Sequence, residues 1–192
     1  SLRQILSMLQ DHPGLAKTKA LTVVSPEESA RTASGLAIGS NTGRMHRAQP
    51  WWIQARYPVP YEVFCLSEPE QRQYAILRFA LQERIGSITT ANPSTILLLS
   101  RRLREWSGPL SRDLTAGTLR EGPGASLDAS QRTKLEGRLR RGRVPADWRP
   151  ASIWPLELIN CWKGGPARYF HSLLPDAVGA SLPVREVGVT AS

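Results

Sequence analysis

The stretch Leu158-Ile-Asn-Cys-Trp-Lys-Gly-Gly-Pro-Ala-Arg-Tyr169 gathers residue types that substrate chemistry needs: an apolar run, a lysine, two adjacent glycines and a proline. The run from Leu158 to Trp162 predicts a strand. Pro166 predicts the start of a helix continuing to Leu174, because its missing amide costs nothing in a first turn. In α/β sheets, ligands sit in the crevice beyond the carboxyl ends of the strands. Gly164 and Gly165 fall at such an end, where the lack of Cβ atoms lets a substrate reach the backbone and lets the amides point at it. A strand-to-helix turn also needs glycine for purely steric reasons, so binding and packing readings both stand. The spacing is neither the GxGxxG of dinucleotide sites nor the GxxxxGKS/T phosphate loop.

Other reactive residue types lack the grouping that chemistry requires. His12, His46 and His171 are far apart with no ligand spacing, so no metal site is expected. Cys65 and Cys161 belong to no CxxC or Cys/His cluster and are expected to be buried thiols in a reducing compartment. No Ser/His/Asp constellation is spaced for nucleophilic catalysis, and no catalytic residue is assigned. Asp113 with Gly117 reads as a turn rather than a general base. The net charge of +9 and pI near 10.4 concentrate at Arg138, Arg140, Arg141 and Arg143, with Arg132, Lys134 and Arg149 nearby. That cluster is either a solvated basic face or a phosphate footprint, which makes a basic nucleic-acid-binding module the alternative class of function. The six tryptophans are expected in the core and at its rim rather than as a base-stacking platform.

The elements that would position these residues alternate between helix and strand. At 192 residues and 41% hydrophobic, the chain is long enough to bury a real core and is most simply one domain. Apolar spacing predicts a helix over 2–10, ended by Pro13-Gly14. A β-branched strand is expected over 20–25, then a long loop over 34–52 with a short strand at 36–38. A core-facing helix is expected over 70–82 and a strand over 85–89. Asn92 then caps a helix with Pro93 at its first position, stopped by Gly108-Pro109. A lightly packed surface helix is predicted over 129–141, an irregular connector over 148–155 whose tryptophans close over the core, and a last strand over 184–189. The final strand, glycine turn, helix and strand form a unit of parallel α/β type. The longest aliphatic run, Ile96 to Leu99, is far too short to span a bilayer, and no signal segment opens the chain, so a cytoplasmic protein is expected.

A series of short motifs occurs in order: Ser40-Asn-Thr-Gly43, Pro58-Val-Pro60, Tyr74 in a Leu/Ala-rich helix, Asn92-Pro-Ser-Thr-Ile-Leu-Leu-Leu99, Asp113-Leu-Thr-Ala-Gly117, Ile153-Trp-Pro155, Cys161-Trp-Lys-Gly-Gly-Pro-Ala-Arg-Tyr169 and Val189-Thr-Ala-Ser192. Together, from about Leu2 to Ser192, they resemble the bacterial form of the auxin-responsive-promoter family of acyl acid amido synthetases, members of the adenylate-forming superfamily. The resemblance implies an α/β fold with a mixed or parallel sheet flanked by helices, part of the N-terminal domain of an adenylate-forming enzyme. It implies an ATP-dependent ligase: a carboxylic acid becomes an acyl-adenylate, and an amine such as an amino acid displaces AMP, with Mg2+ balancing the phosphate charge.

Carried over position by position, the resemblance implies a nucleotide and acyl-adenylate site of Trp162, Lys163, Gly164, Gly165, Thr190, Ala191 and Ser192. It implies an acyl pocket of Ser94, Thr95, Leu98, Arg102 and Tyr169. Thr190 stands where the family often has a tyrosine that stacks on adenine. Arg102 reads equally as surface charge. The family's phosphate loop, with its lysine, and the acidic residue after its Ala-Ser motif are absent from the sequence. Residues 1–192 are therefore expected to be the central part of a single large N-terminal adenylation domain, an internal fragment inert by itself. A non-catalytic relative that keeps only the fold is a further reading.

Overall fold

A computed structural model describes residues 2–24, 30–31, 37–38, 48–165 and 167–186. The aliphatic runs form strands β1 (Lys19–Thr22), β4 (Ile85–Thr89), β5 (Leu158–Cys161) and β6 (Val184–Glu186). They lie side by side in the order β1-β4-β5-β6, every neighbouring pair parallel. Two short strands, β2 (Ala30–Arg31) and β3 (Ala37–Ile38), pair antiparallel as a separate ribbon. The protein is thus α/β, with an all-parallel main sheet flanked by helices.

Register decides which side chains face which layer, because alternate residues of a strand point to opposite faces. Leu21, Ile88, Ile159 and Val184 stand in one cross-sheet row; Thr22, Thr89, Asn160 and Arg185 stand in the next. The aliphatic row packs into the main core. The polar row turns to helix α1 (Leu2–Asp11): Asn160 reaches the Met8 sulfur, and the Arg185 guanidinium reaches Ser7 and Asp11. A parallel sheet needs cover on both faces, and α1 supplies it over β5 and β6.

Against the aliphatic row lie α4 (Pro69–Leu81) and α5 (Pro93–Glu105). Helix α4 is buried without a break from Tyr74 to Ala80, as expected of a helix enclosed on every side. Each of its large apolar side chains contributes about 1.5–3 kcal/mol on burial. Helix α5 buries one face, Ile96, Leu99, Ser100 and Leu103, together with Pro93 at its start. The Asn92 side chain accepts from Ser94 N at 3.0 Å, the cap that the sequence predicts. The Trp154 ring closes the core from the connector, its Nε1 donating to Ala80 O at 3.2 Å.

Several sequence expectations are corrected. Gly108-Pro109 does not end helical structure: α6 (Ser107–Ala116) starts there, with the proline in the first turn, where amides need no partner. It ends at Gly117, whose φ of 78° gives the left-handed cap. Short helices α2 (Trp51–Gln54) and α8 (Pro150–Ile153) fall in segments expected to be irregular, and α3 (Tyr61–Phe64) forms where no element is predicted. Helix α7 (Ala129–Glu136) stops before the arginine cluster, which runs on as non-helical chain. The helix expected over 166–174 is two short ones, α9 (Ala167–His171) and α10 (Leu174–Val178), and both pack on α5. Cys161 is buried as expected, but Cys65 is exposed. Residue 25 of the first expected strand, residues 34–36 and 39–47 of the long loop and residues 187–189 of the last strand lie outside the described residues. No helix among the described residues is long and apolar enough to cross a membrane.

Candidate functional site

The site begins where the two inner strands of the sheet end. After β4 the chain turns through Thr90 and Ala91 to Asn92 and the first turn of α5. After β5 it turns through Trp162, Lys163, Gly164 and Gly165. Hydrogen bonds weld the two turns: Trp162 N donates to Ala91 O at 3.0 Å and Thr90 N to Asn160 O at 2.9 Å. Thr90 Oγ1 donates to Asn92 O at 2.9 Å, and Asn160 Nδ2 to Thr89 Oγ1 at 3.1 Å. Ala91, three positions before Ser94, is thereby held against Trp162 at the start of the glycine turn, although about 70 residues separate them in sequence.

The glycine turn opens outward. A Cβ added at Gly164 or Gly165 would meet nothing within 4 Å, whereas packing glycines elsewhere abut neighbours. Gly165 has φ of 58°, in the left-handed region. The amides of Lys163, Gly164 and Gly165 have no acceptor among the described residues. Three consecutive N–H groups on an unobstructed turn can receive an anionic oxygen, and the exposed Lys163 adds a positive charge.

Tyr169 is 70% exposed on α9 and packs edge-on against Phe170, with ring centroids 5.5 Å apart. Trp162 and Leu98 are also exposed. Ser94, Leu98 and Arg102 follow each other at i,i+4 on the face of α5 opposite its buried stripe. Arg102 lies about 12 Å along the helix from Ser94 and is already engaged: its guanidinium meets Glu70 at 2.6 Å and Glu105 at 3.1 Å, and sits 4.7 Å from the centre of the Trp106 ring. Thr190, Ala191 and Ser192 lie outside the described residues. Asp113, which the sequence reads as part of a turn, is fully buried within α6 and accepts from Tyr74 Oη, Thr118 Oγ1, Arg120 N and Glu121 N.

Two further residues, one expected and one not, complete the site. The Cys161 thiol is pushed up to about 11 by burial, the positive charge of Lys163 opposing the shift, so at neutral pH it is protonated and inert. His171, at the end of α9, places Nε2 at 2.8 Å from Trp162 O. A lone histidine nine positions beyond the residue it holds leaves no spacing signal. Among the described residues, no three His, Cys, Asp or Glu side chains group as a metal site.

A family model described as the GH3 family N-terminal domain matches residues 2–184. Two solved structures share the fold. One is a GH3.15 acyl acid amido synthetase, with a TM-score of 0.71 at 17% identity over 92% of this chain and 34% of that one. The other is AtGH3.15 acyl acid amido synthetase in complex with 2,4-DB, with a TM-score of 0.69 at 16% identity over 93% of this chain and 33% of that one. The chain therefore spans about a third of the length of either structure. No curated protein matches it by sequence.

Proposed function

Because this chain belongs to the GH3 family, we propose that residues 1–192 are the central part of the large N-terminal domain of an ATP-dependent acyl acid amido synthetase. This ligase joins a small carboxylic acid to an amino acid or another amine through an acyl-adenylate. A cytoplasmic setting, where ATP is at hand, belongs to the same proposal. The observation that carries it is the open glycine turn at the carboxyl end of an inner parallel strand, with three amides lacking acceptors among the described residues.

ATP, when bound, supplies the α-phosphoryl group that activates the acid. In this proposal the Lys163, Gly164 and Gly165 amides orient anionic oxygens at the reacting centre, where preorganised donors lower the barrier most. Lys163 contributes charge, while Trp162, Leu98 and Tyr169 offer exposed apolar surface to the acyl body. Ser94 and Thr95 present hydroxyls on the adjoining helix turn. Arg102 would have to exchange Glu70 and Glu105 for a substrate carboxylate. Thr190, Ala191 and Ser192 complete the proposed nucleotide side. Mg2+, which ATP chemistry brings with it, finds no clustered protein donors among the described residues.

The test is ATP–pyrophosphate exchange by the full-length protein across a panel of small carboxylic acids. Acid-dependent exchange is expected, and its absence with every acid would refute activation through an adenylate. The nucleic-acid alternative is weakened by internal pairing of the basic cluster: Lys134 and Arg138 face Glu62, Arg140 faces Glu83, and Arg149 faces Asp147.

A further inference from the structure

We infer that His171 is a positioning residue for the glycine turn, fixing its first carbonyl so that the amides beyond it are held in place. The inference rests on the reading of that turn as the adenylate-facing element. The Trp162 carbonyl can only accept, so at 2.8 Å the His171 Nε2 must carry the proton. The neutral ring is thereby set as the Nε2–H tautomer, and the imidazolium donates through the same nitrogen, so the contact survives either state.

The turn is held at three points. Trp162 N is anchored to Ala91 O at 3.0 Å, Trp162 O is clasped by His171, and Gly165 O accepts from Arg168 N at 3.2 Å. Lys163 and the two glycines between these anchors are exposed, and a Cβ added at either glycine would meet nothing within 4 Å. Glycine loses more backbone freedom on ordering than any other residue, so this segment has little order of its own. Order must come from its ends. Trp162 is fixed at both its amide and its carbonyl, and the second of those bonds comes from a side chain across the turn. Because α9 also packs on α5, His171 links the glycine turn to the helix that carries Ser94 and Thr95.

The experiment uses the full-length protein, His171→Ala and His171→Gln. Glutamine places an amide N–H near the imidazole Nε2 position, whereas alanine removes the donor. In His171→Ala, hydrogen exchange at the Trp162–Gly165 segment is expected to rise. The kcat of acid-dependent ATP–pyrophosphate exchange is expected to fall about 10- to 100-fold, as misplacement of positioning groups does, with a smaller change in KM. His171→Gln is expected to restore both readouts toward wild type, and 15N spectra of the wild-type ring are expected to show the Nε2–H tautomer at neutral pH. An Nδ1–H ring, unchanged exchange in His171→Ala, or a glutamine variant as impaired as alanine would each overturn the inference. If the wild type shows no pyrophosphate exchange, the adenylation reading fails, yet the tautomer and hydrogen-exchange results still decide whether His171 clasps the turn.

Discussion

Asp113 and Gly164 show how differently single residues bear on this protein. The two Asp113 carboxylate oxygens share four donors: Tyr74 Oη at 2.7 Å and Glu121 N at 3.0 Å on one, Thr118 Oγ1 at 2.7 Å and Arg120 N at 2.9 Å on the other. Burial, and then the hydrogen bond to this carboxylate, push the Tyr74 hydroxyl far above its ordinary range, so it stays a donor. In Asp113→Asn, an NH2 group must face an existing donor, and the buried Arg78 loses the nearby negative charge. A loss of about 2–3 kcal/mol is expected in urea unfolding; Tyr74→Phe, which leaves each oxygen at least one donor, is expected to cost about 1 kcal/mol. Gly164 is the opposite case. Its Cα faces open space, so Gly164→Val is expected to leave the melting temperature nearly unchanged. If substrate approaches the backbone there, the same variant lowers ATP–pyrophosphate exchange at least tenfold. Unaltered activity would assign the glycine pair to turn geometry alone.

At the scale of elements, close approach and paired charge set what each segment tolerates. In β4, a Cβ on Gly86 would lie 2.0 Å from Thr18 Oγ1 and 2.9 Å from Leu15 Cδ2, so β4 and the helical turn before β1 meet only because the side chain is absent. Gly86→Ala is expected to destabilise by about 1–3 kcal/mol through overpacking, measured as a shift in urea midpoint at constant slope. The carboxylates that pin surface elements make a pH prediction. Glu62, Glu136 and Asp147 are held below their ordinary values: Glu62 first by its backbone hydrogen bond, Glu136 by Arg120, and Asp147 to about 2 by Arg149 and then Ser152. A depressed folded pKa gives stability that is complete above the unfolded value and lost as pH falls through the folded one. Unfolding midpoints are therefore expected to hold at neutral pH and to fall from about pH 4.5 downward; a flat midpoint down to pH 2 would contradict these pairings. The exposed Cys65 and the buried, protonated Cys161 predict that a thiol reagent titrates one cysteine in the native protein and two in urea.

The whole molecule carries +9, yet much of its arginine is spent on internal carboxylates. Duplex DNA is expected to bind weakly at most, with no loss when Arg138, Arg140, Arg141 and Arg143 become alanine; a steep salt dependence abolished by those changes would restore the nucleic-acid reading. The sequence by itself determined the alternation of strand and helix, the capped start of α5 and the glycine turn, because periodicity, capping and turn chemistry act between residues close along the chain; the order of its short motifs carried the family resemblance. It placed Asp113 with Gly117 at a turn, but only Gly117 caps one, while Asp113 is buried inside α6. It misread Gly108-Pro109 as a stop, since the same residues that end one helix can occupy the free first turn of the next. Tertiary structure alone decided that Thr89, Asn160 and Arg185 form a polar row under α1, that Arg102 is held by Glu70, and that His171 reaches back to Trp162. Those contacts join residues whose separation carries no periodic signal, and only the packing of sheet and helices brings them within hydrogen-bond reach.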